Sequence, residues 1–358
     1  MDMREQKFGI EVELTGITRC KAATIAGKLF GSTYERTHGT YDTYIVEDTQ
    51  GRNWKFMYDS SIVAVDAHGD RAGDIYKVEM VSPICEYKDI PIIQEIVKQL
   101  RRAGAVAGET CGIHVHVNAA PHNARTLRNI TNIMYCKEDL IYKALQVDVA
   151  RENRYCQKVE DDFLEDLNRK KPTTLDGVKY IWYKGEDGSN KHYHKSRYHC
   201  LNLHSVFQKG TIEFRLFNST TDTEKIKAYI QLCLAISAQA LNQTCAGTRK
   251  TASTNEKYTF RTWLLRLGMI GDEFAGARKV LLEHLEGGIA WKDPAQAERQ
   301  KERLRAKKEA QERGGQAQDA GSSPQENGDA GELGGSEETD TEETDTEETM
   351  AQGMRQTL

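Results

Sequence analysis

Four short segments of the chain alternate strictly between apolar and polar residues, the period of a strand with one face in a core and the other free. In Phe8-Gly9-Ile10-Glu11-Val12-Glu13-Leu14 the apolar side chains share one face, while Glu11 and Glu13 share the other. The run from Tyr76 to Ser82 sets Tyr76, Val78 and Met80 against Glu79, and Ile113 to Asn118 sets Ile113, Val115 and Val117 against His114, His116 and Asn118. Ile212 to Leu216 sets three apolar residues against Glu213 and Arg215. Every one of these strands carries acids, imidazoles or a guanidinium on the face turned away from the core.

Elsewhere the apolar spacing changes to three and four, which predicts helices over Lys21–Phe30, Ile90–Ala103 with Pro91 in its first turn, Thr126–Asp148 and Glu224–Leu241. Phe260 to Leu285 adds one or two more. Thr173 to Asn190, rich in Gly, Asp and Lys, reads as a loop or hairpin beside the site. Strands and helices without regular βαβ alternation predict an α+β fold, not a doubly wound parallel sheet.

The body ends near residue 291. Residues 292–315 are Lys, Arg, Glu, Gln and Ala with Leu304 nearly the only large apolar side chain, the composition of a charged helix or linker with no face to bury. Residues 316–358 are an acidic segment containing the repeat Glu-Glu-Thr-Asp-Thr from Glu337 to Thr349; it cannot offset its ordering entropy by burial and is expected to be disordered. Residues 1–291 thus form one domain, with a helical insert near 124–170.

Charge and composition narrow the function. The net charge of −5 conceals 12 acidic residues between Gln316 and Met354, which leaves residues 1–315 at about +6, a body suited to anionic ligands such as nucleotides. Aromatic residues do not interleave with a basic stripe, which argues against nucleic acid. With 358 residues and 38% apolar content, no disulfide or structural zinc is needed. The eight cysteines are scattered without a C-x-x-C pair, as in a reduced, cytoplasmic protein. The charged N-terminus lacks an apolar signal core, and no stretch approaches a membrane span, so no membrane is expected. Neither G-x-x-x-x-G-K-[ST] nor G-x-G-x-x-G occurs.

Each candidate residue is uninformative alone. An E-x-E or H-x-H pair on a strand is commonly a solvated face, and Arg215 two residues after Glu213 can be a structural ion pair. Together, however, Glu11, Glu13, Glu79, His114 and Glu213 offer several oxygen ligands and a nitrogen, a donor set better suited to Mg²⁺ or Mn²⁺ than to zinc. Tyr135, Arg151, Arg154, Tyr155, Trp182 and Tyr183 fall in regions that can wall a substrate pocket, although most Tyr and Trp residues serve packing.

The runs F-G-I-E-V-E-L, E-M-V-S-P-I from Glu79, C-G-I-H-V-H-V from Cys111 and G-T-I-E-F-R-L-F from Gly210 together resemble the amidoligase family. That family belongs to the carboxylate-amine ligase superfamily with glutamine synthetase and glutamate-cysteine ligase. The match runs from about Lys7 to about Leu285. It implies a curved, mostly antiparallel sheet with helices on one face, as in the glutamine synthetase catalytic domain. ATP and Mg²⁺ or Mn²⁺ are implied as cofactors. Glu11 and Glu13 match ligands to both metals, His114 a metal ligand and Glu213 the residue that closes a metal site, with Glu79 a further ligand. His116 matches a substrate or phosphate contact, and Arg215 an arginine that stabilises the transferring phosphoryl group. Arg197 and Asn202, with Asn118, fall where the family faces substrate or nucleotide.

The implied activity is ATP-dependent amide or peptide bond formation between carboxylate and amine substrates, whether small molecules, peptides or protein side chains. Its rivals are a metal-dependent hydrolase on the same ligands and a non-catalytic binding or assembly protein.

Overall fold

The apolar halves of the four alternating segments are the centre of the core. Ile10, Val12, Leu14, Val78, Met80, Ile113, Val115, Val117, Ile212, Phe214 and Leu216 are all buried to within about 1% of full burial. The computed structural model describes residues 1–290 and the separate positions 295, 299, 302, 303, 305 and 306. The expectations for the charged segment and acidic tail otherwise lie outside the described residues.

The eight strands are β1 (Phe8–Leu14), β2 (Tyr34–Thr37), β3 (Thr43–Glu47), β4 (Asn53–Met57), β5 (Val78–Val81), β6 (Gly112–Asn118), β7 (Leu201–Asn202) and β8 (Thr211–Asn218). They form one open antiparallel sheet in the order β2-β3-β4-β5-β1-β6-β8-β7. The four predicted strands are therefore neighbours at its centre. Strand β5 is shorter than its alternating run, since Asp74–Tyr76 is a 3-10 turn and the strand spans only Val78–Val81, and β8 extends past Leu216 to Asn218.

Alternation in residues 31–75 was not among the predicted strands, yet β2, β3 and β4 form a meander there. Tyr44, Val46, Trp54 and Phe56 point into the core, while all four residues of β2 are exposed at the sheet edge.

Helix α1 (Arg19–Phe30) packs on β3 and β4, α8 (Thr223–Asn242) packs on β6, and α2 (Ile90–Arg102) touches both α1 and α8. Helix α3 (Ala124–Leu145) lies against α8 and β8. The expected α+β architecture is thus present, with these four helices covering the apolar face. Helix α3 ends earlier than its apolar spacing predicts, because Gln146 adopts a left-handed conformation (φ 49°) and α4 (Val149–Arg154) starts anew with Asp148 as its cap. The last predicted helical stretch is two helices, α9 (Glu256–Arg266) and α10 (Ala275–Leu282), parted by Gly268 and Gly271 at φ of 88° and 82°.

The loop or hairpin expected over residues 173–190 is corrected: it opens with helix α6 (Leu175–Trp182). Thr174 caps α6 by accepting from Gly177 N, and Val178, Ile181 and Trp182 form its buried stripe. The Gly and Asp at positions 176 and 177 masked that spacing. Its partner α5 (Asp161–Lys170) buries Phe163, Leu164 and Leu167, and Phe163 meets Trp182 edge to face at 4.9 Å between ring centroids.

Candidate metal and substrate site

Strand register assembles the site without any loop having to close. Glu13 faces Glu79 across β1 and β5, Glu11 faces His114 across β1 and β6, and His116 faces Glu213 across β6 and β8. Since side chains at paired positions share a face, these six groups form one row on the polar side of the sheet. Beyond Glu213, Asn202 of β7 extends the row.

A β-bulge adjusts the row at its most charged point. Between the pairs Val115–Phe214 and Ile113–Phe217, β8 carries Arg215 and Leu216 opposite the single residue His114. Arg215 keeps the site face that alternation gives it two residues after Glu213, and the extra residue returns Phe217 to the core face beside Ile113, so that Leu216 and Phe217 are both buried.

The donor atoms are close. His114 Nδ1 donates to Glu11 Oε2 at 3.1 Å, which leaves Nε2, 3.8 Å from Glu13 Oε1, with its lone pair free. His116 Nε2 lies 3.2 Å from Glu11 Oε1 and 3.9 Å from Glu213 Oε1, and its Nδ1 pairs with Thr211 Oγ1 at 3.0 Å. Glu13 Oε2 accepts from Gly112 N at 2.7 Å, and Glu213 Oε2 accepts from Asn202 Nδ2 at 2.6 Å. Three overlapping sets result, Glu11–Glu79–His114, Glu11–His116–Glu213 and Glu13–Asp59–Glu79, with the donor atoms of each set within 4.8 Å of one another.

The electrostatics fit a bound cation. Burial and the neighbouring Asp59 push the Glu13 carboxyl up to about 7, and burial with Glu11 and Glu13 alongside drives Glu79 well above the carboxylate range. Burial and Arg215 lower His114 to about 4, so its imidazole is neutral and able to ligate. Against burial, Arg215 and the two histidines hold Glu213 down at about 2. A crowd of carboxylates that resist joint ionisation is what a divalent cation relieves, and the oxygen-rich donor set with two imidazoles suits Mg²⁺ or Mn²⁺.

Above the row is a cleft of about 310 Å³ lined by Glu11, Glu13, Glu79, Asp59, His114, Arg151, Arg197 and Arg215, with Tyr41, Tyr58, Tyr155, Tyr193 and Tyr198 on its walls. Arg215 pairs with Glu213 and donates to the Tyr155 carbonyl at 3.4 Å. Arg197 sits higher, its guanidinium over Tyr193 and Tyr198 and its Nη1 donating to His192 O at 3.3 Å. Asn118 is placed apart, its side chain accepting from Ala120 N at the end of β6. Tyr198 is also a wall of a second cavity of about 520 Å³, lined by Arg154, Phe163, Trp182 and Tyr183. Tyr135 is in neither; Lys250 Nζ lies 4.1 Å above its ring.

Two charged neighbours of the row were not predicted. Asp59, in the turn after β4, completes the third donor set, and Lys209, the last residue of α7 (His204–Lys209), places Nζ 3.8 Å from Glu11 Oε1. Neither stands in an alternating segment, so periodicity carries no signal for them.

The sequence profile of the family described as "Putative amidoligase enzyme" matches residues 4–237, which contain every strand of the site. The chain belongs to the amidoligase family. No characterised protein matches it in sequence. Among solved structures it is similar to a bifunctional glutathione synthetase from Pasteurella multocida, at 12% identity and a TM-score of 0.36 over 79% of this chain. The matched region is 47% of that enzyme's chain, so this amidoligase spans about half the length of that neighbour. Among the described residues no helix is long and apolar enough to cross a membrane.

Proposed function

We propose that this amidoligase joins a carboxylate to an amine at the expense of ATP, through an acyl phosphate. The observation that carries the proposal is the row of overlapping donor sets ending beside Arg215. Glu11, Glu13, Glu79, His114 and Glu213, with Asp59, would hold Mg²⁺ or Mn²⁺. Such ions, when bound, screen the charge between a carboxylate and the γ-phosphate of ATP.

The chain's own groups divide the remaining work. Substrate carboxylate oxygen attacks the γ-phosphorus, the bond to the bridging oxygen breaks, and ADP leaves. Arg215, fixed by Glu213 and the Tyr155 carbonyl, faces the charge that grows on the phosphoryl oxygens. The amine then attacks the acyl carbon, loses a proton and expels phosphate. His116, between Glu11 and Glu213, is raised in pKa by these two carboxylates although burial opposes it, and it contacts the phosphoryl group. Arg197, which lines the cleft, and Asn202, beside Glu213, are assigned to substrate and nucleotide, with Asn118 at the end of β6 a more distant contact. With substrate seated, the tyrosines on the cleft walls would limit the approach of water to an acyl phosphate.

The experiment is calorimetric titration of the full chain with ATP in the presence of Mn²⁺, followed by trapping with hydroxylamine in a mixture of amino acids. Metal-dependent nucleotide binding and a hydroxamate are expected. Absence of any metal-dependent ATP binding removes the ligase reading, and turnover of amides by metal alone replaces it with a hydrolase.

A further inference from the structure

Arg151 is a buried arginine of the cleft whose hydrogen-bonding capacity is mostly unused. Its residue is 3% exposed. Nη1 donates to Thr110 O at 3.1 Å, but Nε and Nη2 are buried without a partner. Arg151 forms no ion pair among the described residues, in contrast to Arg215, which is neutralised by Glu213. A buried guanidinium with two idle donors is costly unless something fills the gap.

The identity of those two donors is informative. Nε and Nη2 form one straight edge of the planar guanidinium, the edge that binds two oxygens of a carboxylate or phosphoryl group side by side. The guanidinium lies against the cleft that also contains Glu13, His114 and Arg215. Two neighbours pack against it. Tyr155 has its ring centroid 5.9 Å from Cζ, and Gly112 supplies the bare Cα on which the guanidinium rests. A Cβ at Gly112 would meet Nη2 at 2.1 Å and Cζ at 2.7 Å, so this strand glycine, one residue into the row before His114, is what makes room for the arginine.

We infer that Arg151 is an oxyanion-binding residue of the cleft: its guanidinium, hydrogen-bonded at one nitrogen only, turns toward the cleft to take two oxygens of a reacting carboxylate or phosphoryl group on the Nε–Nη2 edge, which is closed to solvent in this structure. The assignment deepens the ligase reading and depends on it only for which of the two anions is the natural occupant. It would place a substrate anion beside the metal donors. Arg151 is near enough to Glu13 to favour its ionised form but makes no hydrogen bond to it, and Glu13 Oε2 accepts from Gly112 N.

The test uses the full chain with Mn²⁺ present and two probes, orthophosphate and glutarate, each titrated by calorimetry. The parent protein should bind at least one. Arg151→Met should weaken that binding by about tenfold or more, and Arg151→Lys by less, because the lysine keeps the charge but lacks the fork. Mn²⁺ binding measured separately should change by less than about threefold in both variants. A response to orthophosphate alone assigns the phosphoryl group, and a response to glutarate alone assigns the substrate carboxylate. The inference is overturned if the parent binds neither probe, if Arg151→Met binds as the parent does, or if metal and anion binding fall together. Should Arg151→Met fail to fold, parent-like anion affinity in Arg151→Lys also overturns it. If the parent binds anion yet never binds ATP, the ligase reading fails and the anion site stands.

Discussion

Glu13 and Glu79 stand directly opposite each other on β1 and β5, two carboxylates at one register position of an antiparallel pair. Like charges so placed destabilise a sheet, and both groups are buried, at 4% and 9% exposure. The fold tolerates the pair by keeping protons on it, as the raised pKa of each carboxyl indicates. The same arrangement becomes favourable once a cation lies between the carboxylates.

Glu79→Gln should therefore have opposite effects with and without metal. A carboxyl whose folded pKa is raised costs stability at every pH above its unfolded value, so at pH 7 its removal should stabilise the metal-free protein by on the order of 1 kcal/mol. The gain in unfolding midpoint on adding Mn²⁺ should shrink in the same variant. Thermal unfolding of parent and variant, each with and without Mn²⁺, reads both effects; a metal-free variant less stable than the parent would contradict the account.

Glu213→Gln should behave in the contrary way. Glu213 is ion-paired with Arg215 and bonded to Asn202, so the amide leaves a buried guanidinium uncompensated and should cost about 3 kcal/mol even without metal. Metal affinity should fall as well. Denaturant unfolding of the metal-free variant distinguishes this from Glu79→Gln, and equal stability in the two variants would show that the two carboxylates are not in different electrostatic states.

Arg215→Lys keeps the charge beside Glu213 and loses the planar fork. Nucleotide binding should survive while single-turnover ATP cleavage falls by about a hundredfold or more. A variant that folds normally and cleaves ATP at the parent's rate would make Arg215 a structural partner of Glu213.

Metal affinity should depend on pH through Glu13. Its carboxyl titrates near 7 because burial and Asp59 oppose ionisation. Metal must displace that proton, so the contribution of Glu13 should raise the apparent affinity about tenfold per pH unit below 7 and level off above it, with any further rise belonging to Glu79. Without metal the sign reverses: the folded state holds a proton that the unfolded state has lost, so this group's cost to stability grows from its unfolded pKa up to about 7 and is constant beyond. Mn²⁺ titrations between pH 5.5 and 8 should show the slope, and a flat profile would mean that Glu13 is not a ligand.

What could be read in the sequence was what a strand's two-residue period encodes. Glu11, Glu13, Glu79, His114, His116, Glu213 and Arg215 all lie at alternating positions, and the antiparallel register brings them together as expected. Asp59 follows a strand that had not been recognised, and the use of Arg151 depends on its side chain reaching Gly112, a packing relation between distant segments. Helix α6 was hidden because its first turn carries Asp176 and Gly177, residues that favour turns by local propensity, while burial of Val178, Ile181 and Trp182 decides the outcome. His116 had been expected to contact phosphate; its position within a donor set with Glu11 and Glu213 also allows it to reach a metal.

Truncation after Trp291 should leave the unfolding midpoint of the remaining chain within about 2 °C of the parent, since the removed sequence contains little apolar area. A large drop in that midpoint would show that the charged segment packs on the body.

The decisive assay follows nucleotide and product together. Full-length protein is incubated with Mn²⁺, ATP and a pool of amino acids and peptides containing hydroxylamine, and ADP and hydroxamate are quantified in the same samples, with Glu11→Gln as the control for the metal row. The ligase account predicts ADP and hydroxamate in a one-to-one ratio, both abolished by Glu11→Gln and by omission of metal. Loss of amide bonds with metal alone and no ADP, or ADP released without any acyl product, would contradict it.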